Sequence, residues 1–258
     1  MRHDGRKNDE LRKVEVVSGF HRNAEGSVLY RAGNTVVLCT ASVDAAVPPF
    51  LLGKGRGWVT AEYQMHPRAA PERREQRDGR GKAPSGRTQE IQRLIGRALR
   101  SAVVLEKLGE RQIVVDCDVL EADGGTRTAS ITGGFIALAM ALNGLHQKGL
   151  LAEPVVREQV AAVSVGLIGD ELRLDLPYIE DSRAEVDLNL VATDRDNIIE
   201  VQGTAEGAPV PRKTMDGLVD LALHGVRQLA ELQRRVLAEG KIDLAALLVD
   251  PAATKAGA

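Results

Sequence analysis

Residues 111–145 read RQIVVDCDVLEADGGTRTASITGGFIALAMALNGL, and the organisation of the chain turns on them. Ile113, Val115, Cys117 and Val119 fall on one face and Asp116 and Asp118 on the other, the period-two pattern of a half-buried strand. From about Thr128 to Leu145 the sequence is apolar nearly all round, which predicts a helix buried in the core rather than lying on its surface. Between the two stands GGTR, with a run of small hydroxyl residues behind it. Two readings are open for this junction. One is a glycine-softened turn with Ser or Thr as the helix cap. The other is an anion, phosphate above all, held by exposed amide N–H groups at the helix start and by Arg127.

Upstream, EGSVLYRAGNTVVLCTASVD alternates apolar and polar residues on both sides of AGN and predicts an antiparallel hairpin. GWVTAEYQM predicts a further strand. From Ser85 the period changes: Ile91, Leu94, Ile95, Ala98, Leu99, Ala102 and Val103 recur every three or four residues, an amphipathic helix with Ser85 placed to cap it. Downstream, hairpins are expected about Gly169–Asp170 and about Asp194–Asn197, then a long helix from about Arg212 to Ala238. The pattern of strands, hairpin and helix occurs roughly twice, without regular alternation, so the expected class is α+β with two similar halves. They are drawn at residues 1–150 and 151–245, with 246–258 as a flexible tail.

The chain has 258 residues, 43% of them hydrophobic and 27% charged, well within the range of a globular protein. The charged start, MRHDGRKNDELRK, is unlike a signal peptide, and the apolar run at FIALAMAL is far short of the roughly 20 residues of a membrane span, so a cytoplasmic location without membrane contact is expected. Cys39 and Cys117 each lie in an apolar strand, which predicts buried free thiols. The formal net charge is −2, yet His66–Arg93 concentrates Arg68, Arg73, Arg74, Arg77, Arg80, Lys82, Arg87 and Arg93, giving one strongly positive region.

The densest acidic stretch is DLPYIEDSRAEVDLN, with Asp175, Glu180, Asp181, Glu185 and Asp187. Fully extended, Asp181 and Asp187 stand roughly 20 Å apart, too far for one metal ion. The turn residues Asp181–Ser182–Arg183 allow the chain to fold back, and the two carboxylates then meet as hard oxygen ligands suited to Mg²⁺. Arg87 and Arg127, each at a helix start, are planar forks able to grip a tetrahedral oxyanion. Phosphate sites, a carboxylate pair and an arginine-rich loop without stacking aromatics suggest chemistry on a phosphodiester whose polymer is held through its backbone. There is no GxxxxGK[ST], GxSxG or HExxH, so a P-loop fold, a serine hydrolase and a zinc protease find no support.

DGR at 4–6, AEGSVL at 24–29, GWVTAEY at 57–63, SGRTQEIQRLIGRALR at 85–100, DCDVLEADGGTRTASITGG at 116–134, LDLPYIEDS at 174–182, AEVDLNLV at 184–191 and IIEVQGTAEGAP at 198–209 occur in that order and spacing. Over about residues 4–240 this resembles the ribonuclease PH family, departing at Gln64, His66 and Val210–Pro211. The resemblance implies a phosphate-dependent nucleotidyltransferase of tRNA and rRNA processing. Such an enzyme trims the 3′ ends of tRNA precursors with inorganic phosphate as nucleophile, and releases nucleoside diphosphates. It also implies a ribosomal-protein-like βαβ fold and a homohexamer built as a trimer of dimers. Carried onto this sequence, the phosphate site falls on Arg87, Gly125, Thr126 and Arg127, and the catalytic, Mg²⁺-holding acids on Asp181 and Asp187. RNA contacts fall on Arg68, Arg73, Arg74, Arg77 and Arg93. Two other readings compete: hydrolysis of RNA by water, which would yield monophosphates without phosphate, and an inactive RNA-binding ring subunit, which would lack the acids or the arginines.

Overall fold

The computed structural model describes residues 2–71, 74 and 83–250. Its elements run β1 (Val14–Ser18), β2 (Gly26–Ala32), β3 (Thr35–Asp44), β4 (Trp58–Met65), α1 (Gly86–Ser101), α2 (Leu105–Leu108), β5 (Gln112–Glu121), α3 (Thr126–Gln147), β6 (Val160–Ile168), β7 (Glu171–Leu174), α4 (Tyr178–Asp181), β8 (Val186–Thr193), β9 (Ile198–Ala205), α5 (Arg212–Glu239) and α6 (Leu244–Leu247). The three expected hairpins form as β2–β3, β6–β7 and β8–β9, each antiparallel. Gly33, Gly169 and Asp196 adopt the left-handed conformation that their turns need.

Two sheets result. The first sheet has the order β1-β2-β3-β5-β4 and the second β7-β6-β8-β9. In the first, β4 and β5 are parallel and are joined through α1, a βαβ unit, whereas all pairings in the second are antiparallel. The halves thus share a sheet-and-helix plan while differing in this crossover. Strand β6 is buried on both faces: Val160 and Ala162 join the core around α3, and Ala161, Val163 and Val165 join the core against α5. The order of layers is therefore first sheet, α1 with α3, second sheet, α5.

Helix α3 explains its own composition. Its residues are buried on all sides because it lies between two sheets; Gly133 approaches Cys39 and Tyr30 of the first, and Thr132 Oγ1 meets the backbone of Ala162 in the second at 3.2 and 3.1 Å. Among the described residues α3 is the helix long and apolar enough to cross a membrane, and 89% of its most apolar window is buried within the protein. Cys39 and Cys117 face each other in register as buried free thiols.

The expectation of a flexible tail from residue 246 is corrected by the packing. Leu247 is fully buried, Val249 nearly so, and the backbone of Val249 donates to Val156 at 2.8 Å. Leu244 and Leu247 join the first core with Leu248 packed against it, Val249 is buried, and residues 251–258 lie outside the described residues. Likewise Leu151, Val155 and Val156 pack into the first core, so the boundary drawn at residue 150 divides the chain but not the packing.

Candidate active site

The junction after β5 is built to leave a helix end open. Gly124 and Gly125 have φ of 72° and 67°, a left-handed pair that turns the strand into α3 where a side chain would be strained. Gly125 is the N-cap, and no side chain caps the helix. The Ser/Thr-cap reading is corrected: Thr128 Oγ1 instead donates to the Gly125 carbonyl at 2.9 Å, and Ser130 Oγ to the Thr126 carbonyl at 2.8 Å. The contrast with α1 is direct, because there Ser85 Oγ accepts from the Thr88 amide at 3.1 Å as expected. The first-turn amides of α3 point outward with the positive end of a 22-residue helix behind them.

Thr126 is buried, its hydroxyl 2.9 Å from the phenol of Tyr63 on β4. Arg127 Nη1 donates to Gln202 Oε1 on β9 at 2.7 Å and to Glu90 on α1 at 3.3 Å. Its remaining N–H groups have no acceptor among the described residues. Arg87, on the first turn of α1, is exposed and makes no ion pair with another described residue. Burial raises the Tyr63 phenol, and its bond to Thr126 together with the positive charges of Arg87 and Arg127 pulls it back. Both guanidiniums therefore lie within electrostatic reach of one point beside Thr126.

The second half brings its acids to the same place. After β7 the chain makes the single turn α4 and then doubles back, with the Ala184 amide donating to Asp181 O at 3.2 Å before β8 starts. On β8, Val186, Leu188 and Leu190 are buried against α5 while Asp187 and Asn189 point to the other face, beside Gly166 and Ser164 of β6. Ser164 Oγ lies near Gly125, so that face looks onto the α3 terminus. Burial raises the Asp181 carboxyl, while Arg127 and Arg87 oppose the rise. Burial and the neighbouring Asp181 charge push the Asp187 carboxyl up to about 6, with Arg127 opposing. Asp181, Asp187, Arg87, Thr126 and Arg127 thus form one constellation drawn from α4, β8, α1 and α3.

Other acids of the same stretch do different work. Asp175 and Glu180 are buried in ion pairs with Arg12 and Arg2, and Glu185 accepts from the Gly169 amide at 3.0 Å. Among the described residues no group of three or more His, Cys, Asp and Glu is arranged to hold a metal ion. Arg93 is exposed on α1, on the stripe that carries Glu90 and also Arg97, whose guanidinium grips Glu200 of β9. Arg68 and Arg74 are exposed; Arg73 and Arg77 lie outside the described residues. A cavity of about 550 Å³ lies on the first sheet beside Tyr63, lined in part by Glu62, Asp116 and Asp118. Tyr63, Gln202, Arg12 and Arg2 are the supporting residues that the sequence did not single out, since each acts through a partner far away in the chain.

Models of the 3′ exoribonuclease family match both halves, domain 1 over residues 10–142 and domain 2 over residues 158–225. The chain belongs to this family, in its ribonuclease PH branch. It is 52% identical to ribonuclease PH of Bacillus pumilus over 240 residues, covering 93% of this chain and 99% of that one. It is 54% identical to ribonuclease PH of Rhodococcus erythropolis over 239 residues, covering 92% and 91%. Among solved structures, rice Rrp46 superposes with a TM-score of 0.73 at 17% identity over 92% of this chain and all of that one, a likeness of fold. The Archaeoglobus fulgidus exosome with RNA bound to the active site gives 0.71 at 26% identity, over 89% and 91%. The activity that follows is phosphorolytic 3′→5′ trimming of tRNA.

Proposed function

We propose that the constellation around the α3 terminus is where inorganic phosphate meets the RNA 3′ end. The observation that carries this reading is the uncapped start of α3, with Gly125, Thr126 and Arg127, lying within electrostatic reach of both Arg87 and the Asp181–Asp187 pair. Phosphate is held by the first-turn amides and by the two guanidiniums, Arg127 fixed by Gln202 and Arg87 free to close on it. One of its oxygens attacks the terminal phosphorus in line. The bond from that phosphorus to the 3′ oxygen of the preceding nucleotide breaks, the electron pair leaves with the oxygen, and a nucleoside diphosphate departs. Nucleophile and substrate are both anions, so the positive pocket offsets a Coulomb cost that water would otherwise screen.

Two half-buried carboxylates with raised proton affinity suit a divalent cation such as Mg²⁺, which characteristically takes one or two protein carboxylates and fills its other positions with water and phosphate oxygens. Asp181 and Asp187 would hold it, and it would neutralise charge on the reacting phosphates. Where one of the pair lends a proton to the departing oxygen, the other holds the cation. Arg68, Arg73, Arg74, Arg77 and Arg93 contact the backbone of the tRNA body and of other structured RNA ends, rRNA included. The protein works in the cytoplasm as a homohexamer, a trimer of dimers. Support for assembly comes from the exposed apolar side chains of Phe50 and Leu52 and from Ile198 and Val201 on the edge strand β9. Light scattering measures it directly.

Arg87→Ala separates nucleophile from polymer. Losing one charged hydrogen-bonding partner, worth roughly 1.5–3 kcal/mol, raises the KM for phosphate about 10- to 100-fold and leaves tRNA affinity within about twofold. The same assay, run with labelled phosphate on a 3′-extended tRNA, yields labelled nucleoside diphosphates. Equal losses in phosphate KM and tRNA binding would remove Arg87 from the phosphate site.

A further inference from the structure

Residues 2–12 form a strap whose three arginines end on the two turns that carry the site. Arg2 is buried; its Nε and Nη2 donate to the two carboxylate oxygens of Glu180 at 3.1 and 2.6 Å, and its Nη1 and Nη2 to the carbonyls of Leu174 and Asp175 at 2.7 and 3.0 Å. Arg6 Nη2 donates to the same Asp175 carbonyl at 3.1 Å. Arg12 donates through its backbone amide and Nε to Asp175 Oδ2 at 2.8 and 3.0 Å and through Nη2 to Oδ1 at 2.6 Å. Its Nη1 reaches across to the Asp123 carbonyl at 2.7 Å, immediately before the GGTR turn. The strap is also joined to β7, where the Leu174 amide donates to the Asn8 carbonyl at 2.7 Å.

What the strap holds cannot hold itself. Helix α4 is one turn long, has no side-chain cap, and exposes Tyr178 by 64% and Ile179 by 44%; Glu180 is its buried residue. A single turn has no intrinsic stability. The direction in which Asp181 points therefore depends on Glu180, the residue before it, and Glu180 is fixed by Arg2, with Arg173 Nη1 adding a bond at 3.1 Å. Asp175, at the head of the segment leading to α4, sits at φ 54°, a conformation that a non-glycine residue keeps only when its surroundings impose it. Here the surroundings are Arg2, Arg6 and Arg12.

We infer that Arg2 and Arg12 are positioning residues of the phosphorolytic reaction. The strap sets the spacing between the phosphate-binding turn and the aspartate-bearing turn while touching neither reactant. The inference rests on the site assignment above, and the two come apart experimentally. Arg2 contacts only the aspartate side, so its loss misplaces Asp181 and leaves phosphate binding intact. Displacements of about 1 Å at reacting groups are enough to cost about 100-fold in rate.

The test compares Arg2→Ala, Arg2→Lys, Glu180→Gln and the double variant Arg2→Ala/Glu180→Gln in the full-length protein. Steady-state kcat is measured together with KM for phosphate and binding of inorganic phosphate alone by calorimetry. Arg2→Ala and Glu180→Gln each lower kcat about 10- to 100-fold with both phosphate parameters within about twofold of the parent. Arg2→Lys, which keeps the charge but cannot fork, recovers only part of the rate. The double variant is no worse than the more damaged single one. A folded Arg2→Ala protein with parental kcat overturns the inference, as does a parallel loss of kcat and phosphate affinity. If Arg2→Ala does not fold, Arg2→Lys decides: a fall in kcat alone supports the strap's role, and parental kcat refutes it. Failure of the site assignment reads differently, since Arg87→Ala would then leave the phosphate KM unmoved whatever Arg2 does.

Discussion

At Asp187 the demands of folding and of chemistry oppose each other. Its carboxyl is half-buried and faces the Asp181 charge, so in the folded protein it titrates at about 6 instead of its ordinary 3.8. The folded state then binds the proton more tightly than the unfolded chain does. The resulting stability is present in full below about pH 4 and is lost as pH rises through about 6. Asp187→Asn removes an ionised group that the fold would rather keep neutral. At pH 7 the variant should be inactive yet melt about 2–4 °C higher, the shift given by roughly 1 kcal/mol once solvent on the open side has reduced the full effect. At pH 4 the difference should vanish. Scanning calorimetry at the two pH values checks this, and a variant that melts lower at pH 7 contradicts it. Asp175 has the opposite sign. Burial alone would raise its carboxyl, but Arg12 prevails and holds it below the usual carboxylate range, so its contribution is lost only on acidification.

The junction of β5 with α3 shows how much local sequence can say about an element. Alternation from Ile113 to Val119 and the unbroken apolar run after Thr128 were enough to define the strand and the buried helix, because burial imposes its period on the residues that undergo it. Ser85 was legible as a cap for the same local reason. The open end of α3 is half legible: paired glycines beside arginine suggest an anion, while the Ser and Thr hydroxyls around it suggest a cap. Only the fold shows Thr126 turned to Tyr63 and Thr128 turned to its own turn. Asp175 and Glu180 belong to the same acidic stretch as Asp181, and their burial against Arg12 and Arg2 depends on contacts 163 and 178 residues away in the chain. No spacing rule reaches that far. The glycines carry the element-scale prediction. A Cβ on Gly124 would stand 2.5 Å from the Leu176 carbonyl and 2.9 Å from the Tyr178 amide, in a left-handed conformation besides. Gly124→Ala should therefore cost about 2–4 kcal/mol in urea unfolding. Gly144→Ala, inside α3 with nothing within 4 Å, should be neutral or stabilising by up to about 1 kcal/mol.

Across the whole molecule, the layers place the start of one buried helix where residues from both halves converge. The first sheet and α1 supply Tyr63 and Arg87, and the second sheet and its short turn supply Asp187 and Asp181, so neither half holds a complete site alone. Because α3 also packs against both sheets, an anion at its first turn interacts with the most deeply buried element of the protein. Binding to the folded state alone stabilises it by about 2.7 kcal/mol at a hundredfold excess over Kd, and a chain of this size should then melt roughly 5–10 °C higher in saturating phosphate. Arg87→Ala/Arg127→Ala should abolish the increase, and a double variant that still responds would move the anion elsewhere. On the proposed assignment, a helix left uncapped by its own sequence makes the reactant a part of the architecture. Where phosphate runs short, the scarcity that idles the enzyme should then also loosen it.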